Sequence, residues 1–303
     1  MFIKNNSIFH KIYKILVENI LKVTTYISPV LNTKLRYRIV HKKKLNLKNP
    51  QSFNEKLLWL KLYLYSNDPL VIQCADKYLV REYVCQCGFQ DILVPLIGVW
   101  ESADQIPWDD LPKKFALKWN FGAGRNIICS DKSKLDRREV IKKMNDWGKE
   151  KCWLSHSEMH YKYIPKKIVC EKFLEGESGK CIPDYKIYCF HGEPKAIFVM
   201  HDRFDGEMKT EFFDVNWNRL ENSVKYSTLE KSTPKPVCLE RLLKISSELS
   251  KPFPFVRCDF YVFENSIYFG ELTFTPAGGM YTSKTKIDGK EMSEYLSIDL
   301  KGK

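Results

Sequence analysis

Asp259 and Glu271 carry the clearest chemistry in this sequence. They lie in two β-rich runs, residues 256–263 and 267–272, separated by the short polar break Glu264-Asn265-Ser266. Runs of that composition about so short a break predict an antiparallel hairpin. Pairing Phe263 with Ile267 sets Asp259 opposite Glu271 and Arg257 opposite Thr273. Directly opposed side chains have Cβ atoms only about 5 Å apart, and like charges there repel, so a positive partner between the acids is expected. A hard divalent cation suits the place, Mg²⁺ before Ca²⁺, because Mg²⁺ commonly takes one or two carboxylates and completes its shell with water and substrate phosphates. The alternative is a half-exposed hairpin whose acids face water. A one-residue slip in register would also send the two acids to opposite faces.

Two further segments offer groups that a nucleotide could use. Residues 115–129 read as strand, loop, strand, with Gly122-Ala123-Gly124 in the loop, Lys118 at the end of the first strand and Arg125 just after the glycines. Glycines let backbone N–H groups wrap phosphate oxygens, and a lysine adds a point charge. No GK[ST] follows and no helix opens after the loop, so it is neither a Walker loop nor a dinucleotide fingerprint. A plain hairpin with a flexible turn has the same composition. Residues 169–177 form a short apolar strand ending in Glu171, Lys172, Phe173, Leu174, Glu175, Gly176 and Glu177. Such a segment can offer backbone groups to adenine and a carboxylate to ribose hydroxyls, or be an ordinary strand end.

The elements that must position these groups follow from hydrophobic period and caps. Ser52 with Glu55 reads as a capping box, opening a helix through Leu62. Asp68-Pro69 opens another, expected to run on through residues 75–83. Strands are expected at 93–99, 115–119, 126–129, 168–173, 185–190 and 195–200, with a hairpin turn at His191-Gly192-Glu193-Pro194. Helices are expected at 134–149 and 238–250, and a loop-rich tail after Gly278. With no internal repeat, this predicts an α+β architecture of mostly antiparallel sheets. The expected division is a basic arm at 1–48, a helical subdomain at 49–114, a small loop-bearing subdomain at 115–175 and a C-terminal subdomain at 176–303.

The chain's 303 residues suffice for a large core. Its ten cysteines are scattered and contain no CxxC pair, which favours reduced thiols in a cytoplasmic protein. The net charge of +12 is concentrated: residues 1–50 carry eleven Lys and Arg against Glu18 alone, so +10 resides there. That arm alternates lysines with apolar residues at helical spacing and has no apolar run near the roughly 20 residues of a membrane span. A basic amphipathic helix can lie on an anionic membrane surface, and the same pattern can pack on the body of the protein. Nucleic acid is not an expected partner.

Lys118, then Gly122-Ala123-Gly124, then Glu171-Lys172-Phe173-Leu174, then Arg257-Cys258-Asp259 with Glu271-Leu272-Thr273 stand in the order of the ATP-grasp superfamily. The sequence more closely resembles the TupA-like ATP-grasp family of bacterial surface-polysaccharide clusters, over roughly residues 45–280. The phrases are those at 52–61, 75–84 (Ala-Asp-Lys-Tyr-Leu-Val-Arg-Glu-Tyr-Val), 184–192 and 253–259, with 270–274. The resemblance implies an ATP-grasp fold using ATP and Mg²⁺, with metal on Asp259, Glu271 and Thr273, the last standing where the superfamily usually has asparagine. It implies nucleotide contacts from Lys118, Gly122, Ala123, Gly124, Glu171, Lys172, Phe173, Leu174 and Glu177. Lys186, Arg257 and Arg125 would assist chemistry.

The implied reaction is carboxylate–amine ligation through an acyl phosphate. The acid would be a hexuronic acid of a surface glycan or its nucleotide-sugar precursor, and the amine an amino acid or small amine. His156, His160, His191 and His201 are candidate bases, although lone histidines more often satisfy structural hydrogen bonds. A glycosyltransferase is one rival, disfavoured because no two aspartates are two apart. A non-catalytic ATP-grasp module docked through the arm is another.

Overall fold

Ser28-Pro29, Ser52 with Glu55, and Asp68-Pro69 punctuate the first eighty residues, and each opens a helix. The computed structural model describes residues 8–176, 182–201, 208–220, 232–282 and 285–300, with side chains from residue 12. Helices α1 (Ile8–Ile27) and α2 (Pro29–His41) form an N-terminal hairpin. Helix α3 (Phe53–Trp59) carries both halves of the expected capping box and continues into a π-helical turn, Leu60–Leu64. Helix α4 (Pro69–Ala75) is capped by the Asp68 carboxylate, which accepts from the Val71 N–H at 2.9 Å.

The helix expected to run through residues 75–83 is broken at Asp76. Its carboxylate accepts from the backbone N–H groups of Tyr78 and Leu79 and from the Asn120 amide, and α5 (Val80–Gln86) starts only beyond that turn. A short acidic side chain that bonds nearby backbone donors competes with the helical ladder. The break turns Lys77 off the helix, with its backbone N–H bonded to the Asn120 carbonyl.

The first sheet has four strands in the order β1-β4-β2-β3: β1 (Leu96–Trp100), β2 (Phe115–Trp119), β3 (Asn126–Cys129) and β4 (Ile168–Lys172). Strand β1 begins at Leu96 rather than Leu93, because residues 90–92 turn as a 3-10 segment and Pro95 has no N–H to give a ladder. Between β3 and β4 come α6 (Arg137–Lys149) and the single turn α7 (Trp153–His156). Helix α6 starts at Arg137 rather than 134 because Asp136 caps it, accepting from the N–H groups of Arg138 and Glu139.

The second sheet has five strands in the order β7-β6-β5-β8-β9. These are β5 (Asp184–Phe190), β6 (Glu193–His201), β7 (Lys209–Asp214), β8 (Phe255–Phe263) and β9 (Ser266–Thr273). Strand β7 is an edge that the sequence pattern did not announce. Every pairing in both sheets is antiparallel. Strand alternation sends Tyr185, Ile187, Cys189, Val256, Cys258 and Phe260 to one face. There the buried Leu242, Ile245 and Leu249 of α8 (Leu239–Ser250) pack on them. The opposite face receives Asp184, Lys186, Tyr188, Arg257, Asp259 and Tyr261. A short hairpin, β10 (Lys286–Ile287) and β11 (Lys290–Glu291), ends the fold.

The β8–β9 register corrects the sequence reading at the turn and agrees with it at the acids. The turn is the two residues Glu264 and Asn265, at φ 46° and 65°, so Phe263 pairs with Ser266 and Val262 with Ile267. Continued unchanged, that register would set Asp259 against Gly270. A bulge between the Asp259 and Phe260 pairings absorbs one residue, Gly270, and restores Asp259 opposite Glu271 and Arg257 opposite Thr273. A Cβ on Gly270 would sit 3.0 Å from the Asp259 carbonyl oxygen, which is why glycine occupies the bulge.

Candidate active site

The register lines charged side chains in rows across three strands. Lys186, Asp259 and Glu271 form one row, and Tyr188, Arg257 and Thr273 the next. The Lys186 ammonium donates to Asp184 at 2.6 Å and to Asp259 Oδ2 at 2.8 Å. Arg257 grips Asp259 with two donors, Nε to Oδ1 at 2.6 Å and Nη2 to Oδ2 at 2.5 Å, and Nη2 also reaches the Thr273 hydroxyl at 3.1 Å. Burial works against charge on Lys186 and Arg257, but Asp259 outweighs it and raises both above their ordinary values. Burial of Asp184 raises its carboxyl.

The positive partner expected at the two acids is therefore present as protein cations. For Glu271 the partner is Lys77, whose ammonium lies 3.3 Å from Oε2. Burial would raise this acid, yet Lys77, Arg257 and Lys186 together hold it down to about 2. Lys77 Nζ also donates to the Gly122 carbonyl at 2.6 Å. One lysine, delivered by the break at Asp76, thus ties the glycine loop of the first sheet to the acid hairpin of the second.

On the first sheet, Lys118 is set in the middle of a ladder, opposite Asn126 on β3 and Val169 on β4. Its ammonium meets Glu171 Oε2 at 2.7 Å, and Arg81 from α5 holds Oε1 at 3.2 Å. Burial lowers Lys118, but Glu171 and, beyond it, Tyr261 and Glu271 raise it above the usual lysine value. Lys118 therefore feels both sheets. Lys172 is exposed, and Phe173 and Leu174 are half-buried after it. Glu177 lies outside the described residues.

In the loop, Gly122 and Gly124 take φ of 63° and 76°, the left-handed region that favours glycine. The structure does not bring Arg125 to Arg257 and Lys186. Its guanidinium is held by Glu150 at 3.0 and 2.5 Å and by the Ala123 carbonyl at 2.9 Å, bracing the loop from behind. Burial lowers His156 to about 4 and His160 to about 3, so both are neutral near pH 7. His191 bonds to Ser297, and His201 to Thr233.

Asp259, Glu271 and Thr273 offer only oxygen donors from one hairpin, the donor set a hard divalent ion prefers. Both oxygens of Asp259 are already engaged, whereas Glu271 Oε1 has only the Thr273 hydroxyl at 3.3 Å. Three acids (Asp184, Asp259, Glu271) face three bases (Lys77, Lys186, Arg257) in this cluster. The donor chemistry fits a divalent ion, on the condition that it arrives with anionic ligands such as phosphates to balance its charge. Among the described residues, no group of three His, Cys, Asp or Glu is arranged as a self-sufficient metal site.

The family model described as TupA-like ATPgrasp matches residues 55–296. The chain belongs to the TupA-like ATP-grasp family. Solved structures resemble it more distantly. The D-alanine–D-alanine ligase of Bacillus anthracis shares 19% identity at a TM-score of 0.39, over 67% of this chain and 57% of that one. The L-amino acid ligase of Bacillus licheniformis shares 12% at 0.42, over 69% and 42%. The ADP complex of N5-carboxyaminoimidazole ribonucleotide synthetase shares 14% at 0.40, over 72% and 49%. The chain thus spans about half the length of these proteins. No curated protein matches it.

Two residues at this ATP-grasp site were missed in the sequence reading. Lys77 and Arg81 both sit in the phrase 75–84, but an unbroken helix there gave neither a reason to leave the helix surface. The available signal was Asp76, a capping residue placed directly before Lys77.

Proposed function

We propose that this protein is an ATP-dependent carboxylate–amine ligase. The observation that carries the reading is the Lys77 bridge, which draws the glycine loop and the Asp259–Glu271 hairpin to a common point. Phosphoryl transfer demands mainly positioning and charge neutralisation, and both sheets aim cations at that point. Lys118 and the N–H groups around Gly122, Ala123 and Gly124 would hold phosphates, with the segment from Glu171 to Leu174 beside the base and ribose. Glu171 keeps Lys118 charged and aimed, and Arg81 keeps Glu171 in place. Asp259, Glu271 and Thr273 would hold Mg²⁺, which when bound neutralises the phosphates and draws them onto the hairpin.

The carboxylate oxygen of the acid would take the γ-phosphoryl group as ADP leaves. The amine nitrogen would then attack the acyl carbon, expelling phosphate and losing a proton. Arg257, in the row next to the acids, would hold the acyl phosphate or its tetrahedral successor, with Lys186 sharing the charge. No side-chain nucleophile is required. His156 and His160, buried and neutral, are in no position to gain a proton near pH 7.

For the substrates we infer a hexuronic acid of a capsule, O-antigen or related glycan, or its nucleotide-sugar precursor, joined to an amino acid or small amine in the cytoplasm. The resemblance to polysaccharide-cluster members supports that choice. The test supplies ATP, Mg²⁺, uronic acids and pooled amines and follows ADP and product mass. ADP release that needs both acid and amine, and is lost in Glu271→Ala, supports ligation. ATP-independent sugar transfer, or no ATP binding, would overturn it.

A further inference from the structure

The N-terminal hairpin is built inside out. On α1 the residues turned to the body are Leu21 and Thr25: both are buried, and Thr25 donates to the Leu154 carbonyl at 2.7 Å, while the half-exposed Glu18 pairs with Arg36 of α2 at 2.6 Å. Apart from Leu21, a row of its large apolar residues points the other way. Ile12, Leu16, Ile20, Val23 and Ile27 recur at spacings of four, four, three and four, one helical stripe, and are 49, 56, 62, 57 and 72% exposed. Helix α2 repeats the inversion. Asn32, Thr33 and Arg36 are buried beside Tyr37, while Leu31, Leu35 and Ile39, four residues apart, are exposed. A stripe of this extent on two adjacent helices is more than the scattered apolar exposure of an ordinary surface.

We propose that this hairpin is a docking surface for an anionic lipid bilayer, with α1 and α2 lying in the interface. The flanking charge fits that partner. Lys34, Arg38, Lys42, Lys43 and Lys44 are all exposed, and residues 1–50 carry a net +10. Apolar residues on one side with lysines and arginines beside them is the pattern of interfacial helices. No helix among the described residues is long and apolar enough to cross a membrane, so the contact is with the surface. A second copy of the chain fits poorly, because the arm's one acid, Glu18, is already paired with Arg36, and two arms face to face would oppose their +10 charges. A polyanion such as nucleic acid would match the lysines and leave the stripe bare.

The test is flotation of the full chain with phosphatidylcholine vesicles made with and without phosphatidylglycerol. Wild type floats with the anionic vesicles and not the neutral ones. A combined Leu16→Asp, Ile20→Asp, Val23→Asp variant loses at least about tenfold in partitioning, since each buried apolar side chain contributes at least that much. Lys34→Glu with Arg38→Glu also loses about tenfold or more, at roughly fivefold per basic residue. Both variants keep the wild-type unfolding midpoint, because the changed side chains touch solvent. Equal flotation of all three proteins, or none by wild type, overturns the proposal. So does a dimer in sedimentation equilibrium that the aspartates dissolve while wild type fails to float.

Discussion

The acid hairpin and the N-terminal hairpin break the ordinary burial pattern in opposite directions. In the first, Asp259 is withdrawn from water and paired with Arg257 and with Lys186 of the neighbouring strand, which also holds Asp184. In the second, Leu16, Ile20 and Ile27 are left exposed by the described residues. A buried charge or a broad exposed apolar stripe is the informative departure from the usual arrangement. Both departures cost stability where a well-packed alternative would not. In the readings proposed above, the ion cluster would receive phosphates and a metal, and the stripe lipid.

That comparison predicts the largest effect at Asp259. Asp259→Ala leaves Arg257 buried with its main partner gone, and should cost roughly 3–5 kcal/mol in urea unfolding as well as abolishing ADP release. Arg257→Met with Asp259→Leu should recover most of the stability and none of the activity, the mark of charges kept for function. Lys77→Met removes charge-assisted bonds to Glu271 and Gly122. It should raise KM for ATP about ten- to a hundredfold, with a smaller change in kcat.

Acid should also weaken the fold, through two histidines outside both regions. His156 and His160 are depressed to about 4 and about 3 by burial, below the usual value near 6.5. Between pH 6.5 and those values the unfolded chain binds protons that the native state refuses, so stability falls as pH falls. From pH 7 to 5 the loss should be roughly 2 kcal/mol per histidine, read by denaturant titration, and His160→Phe should remove one share of it. Gly270→Ala presses on the Asp259 carbonyl and should cost about 1–3 kcal/mol, with loss of activity if the bulge shifts. The smallest effect belongs to the arm. Leu16→Asp should change stability by under about 0.5 kcal/mol, and a larger loss would mean the stripe is covered.

The second sheet was legible because strand alternation has a fixed period. Once residues 256–263 and 267–272 were strands, Arg257, Asp259, Glu271 and Thr273 shared a face. The turn was read one residue too long, and Gly270, an isolated glycine in a strand, was the signal for the compensating bulge. Lys118, Glu171 and the glycine loop were legible as a set through their order along the chain. That Glu171 turns to Lys118 and Arg81, and Arg125 to Glu150, depends on packing between distant segments that no local pattern records. Lys77 was hidden by treating Asp76 as one more helical residue. The amphipathic arm was visible as such, but a helical period cannot say which face meets the protein. The bonds from Thr25 to Leu154 and Ser157, with the exposure of Leu16, Ile20 and Ile27, decide that the apolar face looks outward.

We propose that Asp259 and Glu271 are brought together to hold a divalent ion with ATP. Calorimetric titration of ATP into the protein at a series of Mg²⁺ concentrations, for wild type and for Glu271→Gln, tests it most directly. Wild-type affinity should rise steeply with Mg²⁺ and that dependence should largely vanish in Glu271→Gln. An identical Mg²⁺ dependence in both proteins would contradict the account.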